Sequence, residues 1–338
     1  MSMKRIVLIL VSVLIITSLC ACSQPAANEG DSEQQAPESG VFVGAGGGVG
    51  GVDYTVMSGL AELIKEIEPS ITMQVVPGGG LINPPRVGTK EIDLALMFPP
   101  VMAAARDGRS PFDTAYPDIN IIAQGFGFAY GQMIVPADSE LESIGDIFEK
   151  EYPLQVAVDR VGTTDEWLLQ NICAYYDANY IKIAEWGGKV VHAGYGDQAV
   201  LFKDRHVDAI FGNIGVPWTT AMEAQLVGEI KVLPFPEDLQ DYLNKEFAFS
   251  KGEIPAGAYG VVTEPLPTVA SITTLGVNKN VPEDVVYNIA KIIYENTDRV
   301  HQIHDMVKGF DRERAAEDVG IPYHPGAVKY YKEIGLMK

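Results

Sequence analysis

Two stretches of this chain alternate short β-prone segments, glycine-rich turns and helical apolar spacing, and this alternation constrains the fold most. The first stretch runs from an apolar segment at 41–43 through the glycines of 44–51 into a pattern with helical spacing. The second begins with an apolar segment at 154–158 and leads to Thr163, which stands three residues before Glu166 and is predicted to cap a helix. Because strands and helices alternate, the sequence predicts an α/β fold with a mostly parallel sheet.

Further strands are predicted in both stretches, at 71–76, 92–97, 189–191 and 207–211. Asn83 precedes two prolines and therefore indicates a helix start, since Asn is a common N-cap and Pro is favoured at the first helical position. Ligands of open α/β sheets bind beyond the carboxyl ends of the strands, and domain interfaces are favoured sites for pockets. We therefore expect a ligand cleft between two α/β units.

The N-terminal residues indicate export. Lys4 and Arg5 precede an apolar run at 6–16, and a small-residue segment then ends at Cys22. This order is typical of a secretory signal peptide, and the Leu-x-Ala-Cys ending resembles the bacterial lipobox, in which the cysteine receives lipid. The alternatives are plain secretion and an uncleaved transmembrane anchor, but the apolar run is well short of the ~20 residues that a spanning helix needs. We predict a lipoprotein signal peptide at 1–21 and lipidation of Cys22.

Residues 22–40 contain hardly any apolar side chain and are mainly Ser, Gln, Pro, Ala, Asn, Glu, Asp and Gly. Such a segment cannot bury enough apolar surface to offset the entropy of ordering the chain. We predict a disordered tether between a lipid anchor and the folded body. The protein is then expected to be extracytoplasmic and lipid-anchored, in the periplasm or on the outer face of the cytoplasmic membrane.

The chain is strongly acidic, with 45 Asp and Glu against 25 Lys and Arg and a net charge of −20. We expect no nucleic-acid binding, because such binding depends largely on Lys and Arg contacts to phosphate. Cys173 is the one cysteine left once Cys20 is removed and Cys22 is lipidated, so no intramolecular disulfide is possible. Apolar neighbours at helical spacing predict that Cys173 is a small buried residue.

No nucleotide-binding, catalytic or metal-ligating motif is complete. The glycine run at 44–51 is not followed by the Lys-Ser/Thr of a P-loop, and no acid follows the strand at 71–76 as a dinucleotide fold requires. His301 and His304 form no credible metal cluster with adjacent acids or cysteines. We therefore expect no cofactor, no metal and no catalysis, although a glycine-rich loop that enters a helix can still offer amides to an anion.

Six segments, in order over residues 41–336, resemble the TAXI family of solute receptors, which are the substrate-binding proteins of tripartite ATP-independent periplasmic (TRAP) transporters. The segments are GGVDY at 50–54, VPGGGLIN at 76–83, IDLAL at 92–96, GNIGVP at 212–217, IPAGAY at 254–259 and IPYHPGAVKYYKEIGL at 321–336. The last of these segments is the most specific.

The resemblance implies a type II periplasmic-binding-protein fold, in which two α/β domains flank a ligand cleft. Domain 1 is expected at 41–132 plus 263–338, and domain 2 at 133–262. The resemblance also implies a receptor that captures a small organic acid and delivers it to a TRAP permease in the membrane. The alternatives are a ligand-sensing partner of a membrane signalling protein and a secreted enzyme on a similar two-lobed fold.

Three departures from the family pattern bear on the ligand. Gly80 replaces a serine, residues 98–100 (Phe-Pro-Pro) replace a polar segment, and Arg160 enters a loop that is often Gly-Ser-Gly-Thr. An apolar wall selects against a ligand ammonium group, and an arginine can hold a carboxylate bidentately. We therefore expect an organic acid with a substantial apolar part rather than glutamate. Asp165 and Glu166 oppose an anion at the same helix start, so the site depends on Arg160.

Eight residues are expected to build the cleft: Tyr54, Asn83, Phe98, Arg160, Gly162, Thr163, Trp218 and Tyr259. Two of them also have a purely structural interpretation. Arg160 can be a surface charge paired with Asp159 or Asp165, and Trp218 can be a residue packed between the domains.

The lipobox predicts that Cys22→Ala leaves the protein unprocessed or releases it from membranes. Acyl chains contribute ~0.8 kcal/mol for each buried CH₂ group, so several chains hold a protein firmly at a bilayer. Membrane fractionation and mass spectrometry of the N-terminus measure this effect. An unchanged lipidated, membrane-bound pool in the variant would contradict the prediction.

Overall fold

A computed structural model of the protein describes residues 40–49 and 52–338. The predicted signal peptide at 1–21, Cys22 and the tether as far as residue 39 lie outside the described residues, so those assignments stay predictions. Gly40, the last residue of the predicted tether, is the first residue of a strand. None of the helices in the described part is long and apolar enough to cross a membrane.

The strands of the described residues are β1 (Gly40–Ala45), β2 (Ile71–Val76), β3 (Leu94–Met97), β4 (Ile119–Pro136), β5 (Gln155–Val158), β6 (Lys189–His192), β7 (Ala209–Ile214), β8 (Ile230–Leu233), β9 (Ser250–Ile254) and β10 (Leu266–Asn278). The helices are α1 (Val52–Ile67), α2 (Asn83–Gly88), α3 (Pro99–Asp107), α4 (Asp146–Glu149), α5 (Thr164–Tyr175), α6 (Tyr180–Glu185), α7 (Tyr195–Lys203), α8 (Thr219–Gln225), α9 (Glu237–Phe247), α10 (Glu283–Glu295), α11 (Thr297–His301) and α12 (Pro325–Glu333). Three short 3₁₀ helices occupy Ala258–Gly260, Asp305–Gly309 and Arg314–Ala316.

These strands form one mixed sheet in the order β2-β1-β3-β10-β4-β7-β5-β6, with β8 paired to β4 and β9 paired to β10. Strands β1, β2 and β3 are parallel to one another, as are β5, β6 and β7. The two long strands β4 and β10 pair antiparallel with their neighbours. The α/β fold is thus confirmed, but the sheet is not mostly parallel, because β4 and β10 run between the two parallel sets.

The carboxyl ends of the two parallel sets point toward each other. Met97 at the end of β3 pairs with Thr274 of β10, which in turn pairs with Gln124 of β4. At the other set, Ile214 at the end of β7 pairs with Tyr130 of β4. Strand β3 runs in the same direction as β4, and β7 runs in the opposite direction. Both strands therefore end beside the short segment of β4 between Gln124 and Tyr130. This arrangement creates the facing strand ends that a ligand cleft requires.

The start of α5 confirms the predicted cap. Thr163 is the N-cap residue, and its hydroxyl accepts a hydrogen bond from the backbone N–H of Glu166. Cys173 on the same helix is buried and unpaired, as expected. Burial raises the pKa of the Cys173 thiol to about 12, so the thiol stays protonated and unreactive.

Helix α2 begins where expected but is capped differently. Asn83 is its first helical residue rather than its N-cap, a position that Ile82 occupies without a side-chain hydrogen bond. The prediction of an Asn83 cap was therefore wrong. The physical reason is that the Asn83 side chain bonds to backbone groups of Gly46, Gly79 and Leu96, which lie outside α2.

The buried apolar side chains of the described residues form four clusters. Two of them draw on residues before 127 and after 274. The other two draw on residues 133–262, with Val101, Ala104 and Val269 added. The division of the chain into two domains at the predicted boundaries stays a prediction.

Candidate functional site

The loop that follows β2 touches the start of α5, so the two sets of strand ends are in contact. The backbone N–H of Leu81 donates to the carbonyl oxygen of Gly162 over 3.3 Å. Gly80 lies so close to Thr164 that an added Cβ would overlap the Thr164 hydroxyl and lie 3.1 Å from its backbone nitrogen. The glycine at position 80 therefore permits an approach that the serine of the family pattern would prevent. Gly162 has a φ of +92°, a conformation that favours glycine.

Asn83 connects two loops and strand β3 at this edge of the sheet. Its Nδ2 donates to the carbonyl oxygens of Gly46 (2.9 Å) and Leu96 (3.0 Å), and its Oδ1 accepts from the backbone N–H of Gly79 (3.1 Å). The side chain is fully buried, and both amide hydrogens are engaged. Asn83 thus holds the loops that follow β1 and β2 against strand β3, and a direct contact with ligand stays a prediction.

Tyr54 and Phe98 extend this side of the site. Tyr54 is half-buried in the first turn of α1, close to Gly46, and its hydroxyl makes no hydrogen bond to a described residue. Phe98 is half-buried just before α3 and packs, together with Leu81, against the buried cluster that contains Trp167. Both side chains lie at strand ends as predicted, and their contact with ligand remains to be tested.

Arg160 is exposed and lies beside the start of α7, where its guanidinium group approaches Gly194. This guanidinium forms no ion pair with any residue in the described part of the chain. The Asp159 carboxylate instead accepts a hydrogen bond from the Arg160 backbone N–H over 2.7 Å, and the Asp165 carboxyl group accepts one from the Tyr195 hydroxyl. Neither pairing that was considered as a structural alternative is present, so the Arg160 charge is available to a ligand.

Asp165, in the first turn of α5, is a buried carboxyl group at the same site. The hydroxyl of Tyr195 donates to its Oδ2 over 2.7 Å. Burial raises the pKa of Asp165 to about 7, the hydrogen bond from Tyr195 opposes this shift, and the charge of Asp159 adds to it. Burial also raises the pKa of Asp53, at the start of α1, to about 6. Burial thus raises the pKa of two carboxyl groups that follow strand ends.

Trp218 contacts both Tyr259 and Tyr195. The backbone N–H of Trp218 donates to the Tyr259 hydroxyl over 3.0 Å, and that hydroxyl donates to Oε1 of Gln132 on β4. The Trp218 ring is fully buried and meets the Tyr195 ring edge-on at 5.6 Å between centroids. Burial raises the pKa of Tyr259 to about 12, so it remains a donor. Trp218 packs within a cluster drawn from residues 134–262, and its contact with ligand stays a prediction.

Sequence reasoning did not select Asp53, Tyr195 or Asn213 for this site. Each follows or ends a strand of one of the parallel sets, and Tyr195 and Asp53 lie in the first turn of the next helix. The rule that ligands bind beyond strand ends would have found them, had it been applied to every strand. Among residues 40–49 and 52–338, no group of His, Cys, Asp and Glu side chains is placed to hold a metal ion.

The raised pKa of Asp165 predicts a specific pH dependence of stability. Its folded pKa of about 7 exceeds the value of 3.8 for an unperturbed aspartate, so the folded state retains a proton that the unfolded chain releases. Stability should therefore fall as the pH rises from about 4 to about 7. Asp165→Asn should reduce this fall by on the order of 2–4 kcal/mol, at ~1.4 kcal/mol for each pKa unit. Urea unfolding at several pH values measures it.

Asp159→Asn is the matched control, because it removes a neighbouring half-buried carboxylate and keeps an oxygen that can accept the Arg160 N–H. This variant should keep most of the decrease in the free energy of unfolding between pH 4 and pH 7. An equal slope in the parent and in Asp165→Asn would contradict the assignment.

Two solved structures are similar to this chain in fold. The periplasmic binding protein BugD matches with a TM-score of 0.51 at 15% identity, over 89% of this chain and 99% of its own. MatC from Rhodopseudomonas palustris, solved with bound malate, matches with a TM-score of 0.50 at 12% identity, over 81% of this chain and 92% of its own. These likenesses confirm the predicted periplasmic-binding-protein fold class.

The sequence itself matches a family model over residues 44–335, which is most of the chain. The match includes the glycine-rich loops, both long strands and the C-terminal helix that contribute to the architecture described above. The chain therefore belongs to the NMT1-like family.

Proposed function

We propose that this protein is an extracytoplasmic solute receptor that captures a small organic acid between the facing strand ends and delivers it to a TRAP permease. The observation that carries the proposal is the contact of the β2–α2 loop with the start of α5 across those ends. This contact consists of one long hydrogen bond and the close packing of Gly80 on Thr164, so it is easily broken and formed again. Such a contact suits a cleft that opens to admit a solute and closes over it.

Arg160 is the group proposed to hold the carboxylate. It carries an unpaired, exposed charge beside the cleft in a protein with a net charge of −20. The planar guanidinium fits a carboxylate bidentately, and the backbone amides of Gly162 and Thr163 lie in the same loop. Phe98 and Trp218 are proposed to contact the less polar part of the ligand, with Tyr54 and Tyr259 at the sides.

Delivery to a TRAP permease is supported by the six sequence segments that resemble the TAXI family. Anchoring through a lipid on Cys22 is supported by the lipobox alone. No catalysis is proposed: among residues 40–49 and 52–338, the buried groups at the strand ends include no nucleophile with an adjacent base. The permease assignment is tested by solute uptake into vesicles that contain a TRAP permease encoded next to the gene of this protein, with and without the receptor.

Arg160→Ala should weaken the binding of a carboxylate ligand by about 2–5 kcal/mol once the cleft has closed over the pair. A thermal-shift screen of dicarboxylates, amino acids and aromatic acids identifies the ligand, because a ligand at a thousandfold excess over its Kd stabilises the folded state by ~4 kcal/mol. Calorimetry then measures the Kd. Arg205→Ala, which removes an exposed arginine elsewhere on the surface, is the control. Equal affinities for the parent and Arg160→Ala would rule out this carboxylate site.

Gly80→Ala should weaken ligand binding at least tenfold, because the new Cβ cannot approach Thr164 as closely as closure requires. The melting temperature without ligand should change little, since the loop can stay open. Gly79→Ala is the matched control: a Cβ there meets only Ile82, at 3.5 Å, which is an ordinary contact. Thr164→Ala should restore part of the lost affinity in the Gly80→Ala background. Full affinity in Gly80→Ala would show that closure does not use this contact.

A further inference from the structure

The outward face of α8 and the turn beside it carry four exposed apolar side chains, which we call the α8 patch: Met222, Leu226, Val227 and Val261. Their exposed fractions are 48%, 78%, 52% and 37% in the same order. Met222 and Leu226 stand four positions apart, so they lie on one face of the helix. A single exposed apolar residue is ordinary on a protein surface, whereas a group of neighbouring ones marks a site of interaction.

Tyr259 fixes both ends of the helix that carries this patch. Its hydroxyl accepts a hydrogen bond from the backbone N–H of Trp218, the N-cap residue of α8, over 3.0 Å. Its carbonyl oxygen accepts a hydrogen bond from Nε2 of Gln225, the last residue of the helix, over 2.8 Å. Val261 therefore lies beside α8, and the patch is held in place before any partner arrives. A surface that is already ordered loses less conformational entropy on binding.

The border of the α8 patch is acidic. Glu223 on α8, Glu229 after it and Glu264 after Val261 are exposed, and none of them forms an ion pair with a described residue. No Lys or Arg occurs at 206–230 or at 252–278. A groove that Val227 helps to line contains two cations and three acids: Lys203, Arg205, Asp138, Asp208 and Glu229. Acidic groups thus outnumber cations on every side of the patch that the structure describes.

This acidic border disfavours three possible occupants of the patch. A second copy of the chain would bring an acidic border against an acidic border, and each copy carries a net charge of −20. The chain's own residues 22–39 contain four Asp and Glu and no Lys or Arg. An anionic bilayer surface repels acidic groups in the same way. The patch instead fits a protein partner whose apolar side chains are bordered by Lys and Arg.

We propose that the α8 patch docks an extracytoplasmic segment of the membrane permease, in which apolar side chains are flanked by Lys or Arg. This inference rests on the proposed receptor function, which requires contact with a permease but does not say which surface makes it. Four side chains are far fewer than the roughly 20–30 residues that each partner contributes to a stable interface. The patch therefore suits a contact that forms and breaks with each delivery.

The test measures binding of the full mature chain to a TRAP permease encoded next to its gene, held in nanodiscs of zwitterionic lipid. Leu226→Glu should weaken this binding about tenfold or more, because it places a charge at the most exposed position of the patch. Ile181→Glu is the matched control: Ile181 is 72% exposed on α6, and its variant should bind like the parent. The melting temperatures of both variants should stay close to that of the parent, since both side chains are exposed.

The acidic border gives a second readout. Glu223→Lys should weaken binding to the permease severalfold, because it reverses a charge that faces the basic border of the partner. Added salt should weaken binding of the parent and should weaken binding of Glu223→Lys less, since exposed charges are screened. Binding of the parent that is insensitive to both changes would overturn the proposed basic partner.

The remaining outcomes separate the docking surface from the receptor function. If Leu226→Glu binds the permease as tightly as the parent, the α8 patch is wrong and the receptor stands. Equal binding of the parent to nanodiscs without permease would assign the patch to lipid, and a dimer in sedimentation that Leu226→Glu dissociates would assign it to a second copy. Cross-linking of Leu226→Cys to residues 22–39 would assign it to the chain's own segment. Each of these three results overturns the proposal. If the parent does not bind the permease at all, delivery to a TRAP permease is itself overturned.

Discussion

The antiparallel pairing of β4 with β10 is the constraint on which the rest of this structure depends. These two strands pass between the two parallel sets, and their register decides where β3 and β7 stop. Because β3 runs in the same direction as β4 and β7 runs in the opposite direction, the carboxyl ends of the two parallel sets face each other. Apart from the loop with Tyr259, which follows β9, the loops of the candidate site follow strand ends of these two sets, so the proposed cleft is a direct consequence of this pairing.

The buried polar side chains at the strand ends differ in how completely they are hydrogen-bonded. Asn83 uses both amide hydrogens and its oxygen on two loops and strand β3, so it holds these three segments together. Thr164 and Asn213 are equally buried, yet each keeps an unpartnered oxygen. Complete satisfaction stabilises one rigid arrangement, whereas a buried oxygen without a hydrogen-bond partner costs free energy.

The departures from the family pattern acquire physical meaning from this geometry. Gly80 stands where a side chain would overlap Thr164, so its replacement of a serine allows a closer approach of the two loops. Arg160 lies beside α7 with no partner in the described chain, and Phe98 packs on the apolar cluster around Trp167.

The sequence by itself determined the local structure: the strand–turn–helix alternation, the Thr163 cap and the burial of Cys173, because each depends on residues a few positions apart. It also predicted that the site lies at strand ends and selected Arg160, Gly162 and Thr163, whose contact with ligand stays a prediction. Only the tertiary structure decided that β10 pairs with β4, some 150 residues earlier in the chain, and that Asp165 is buried beside Tyr195. Local periodicity contains no information about such distant pairings, and the burial that shifts the pKa of a carboxyl group exists only after they form.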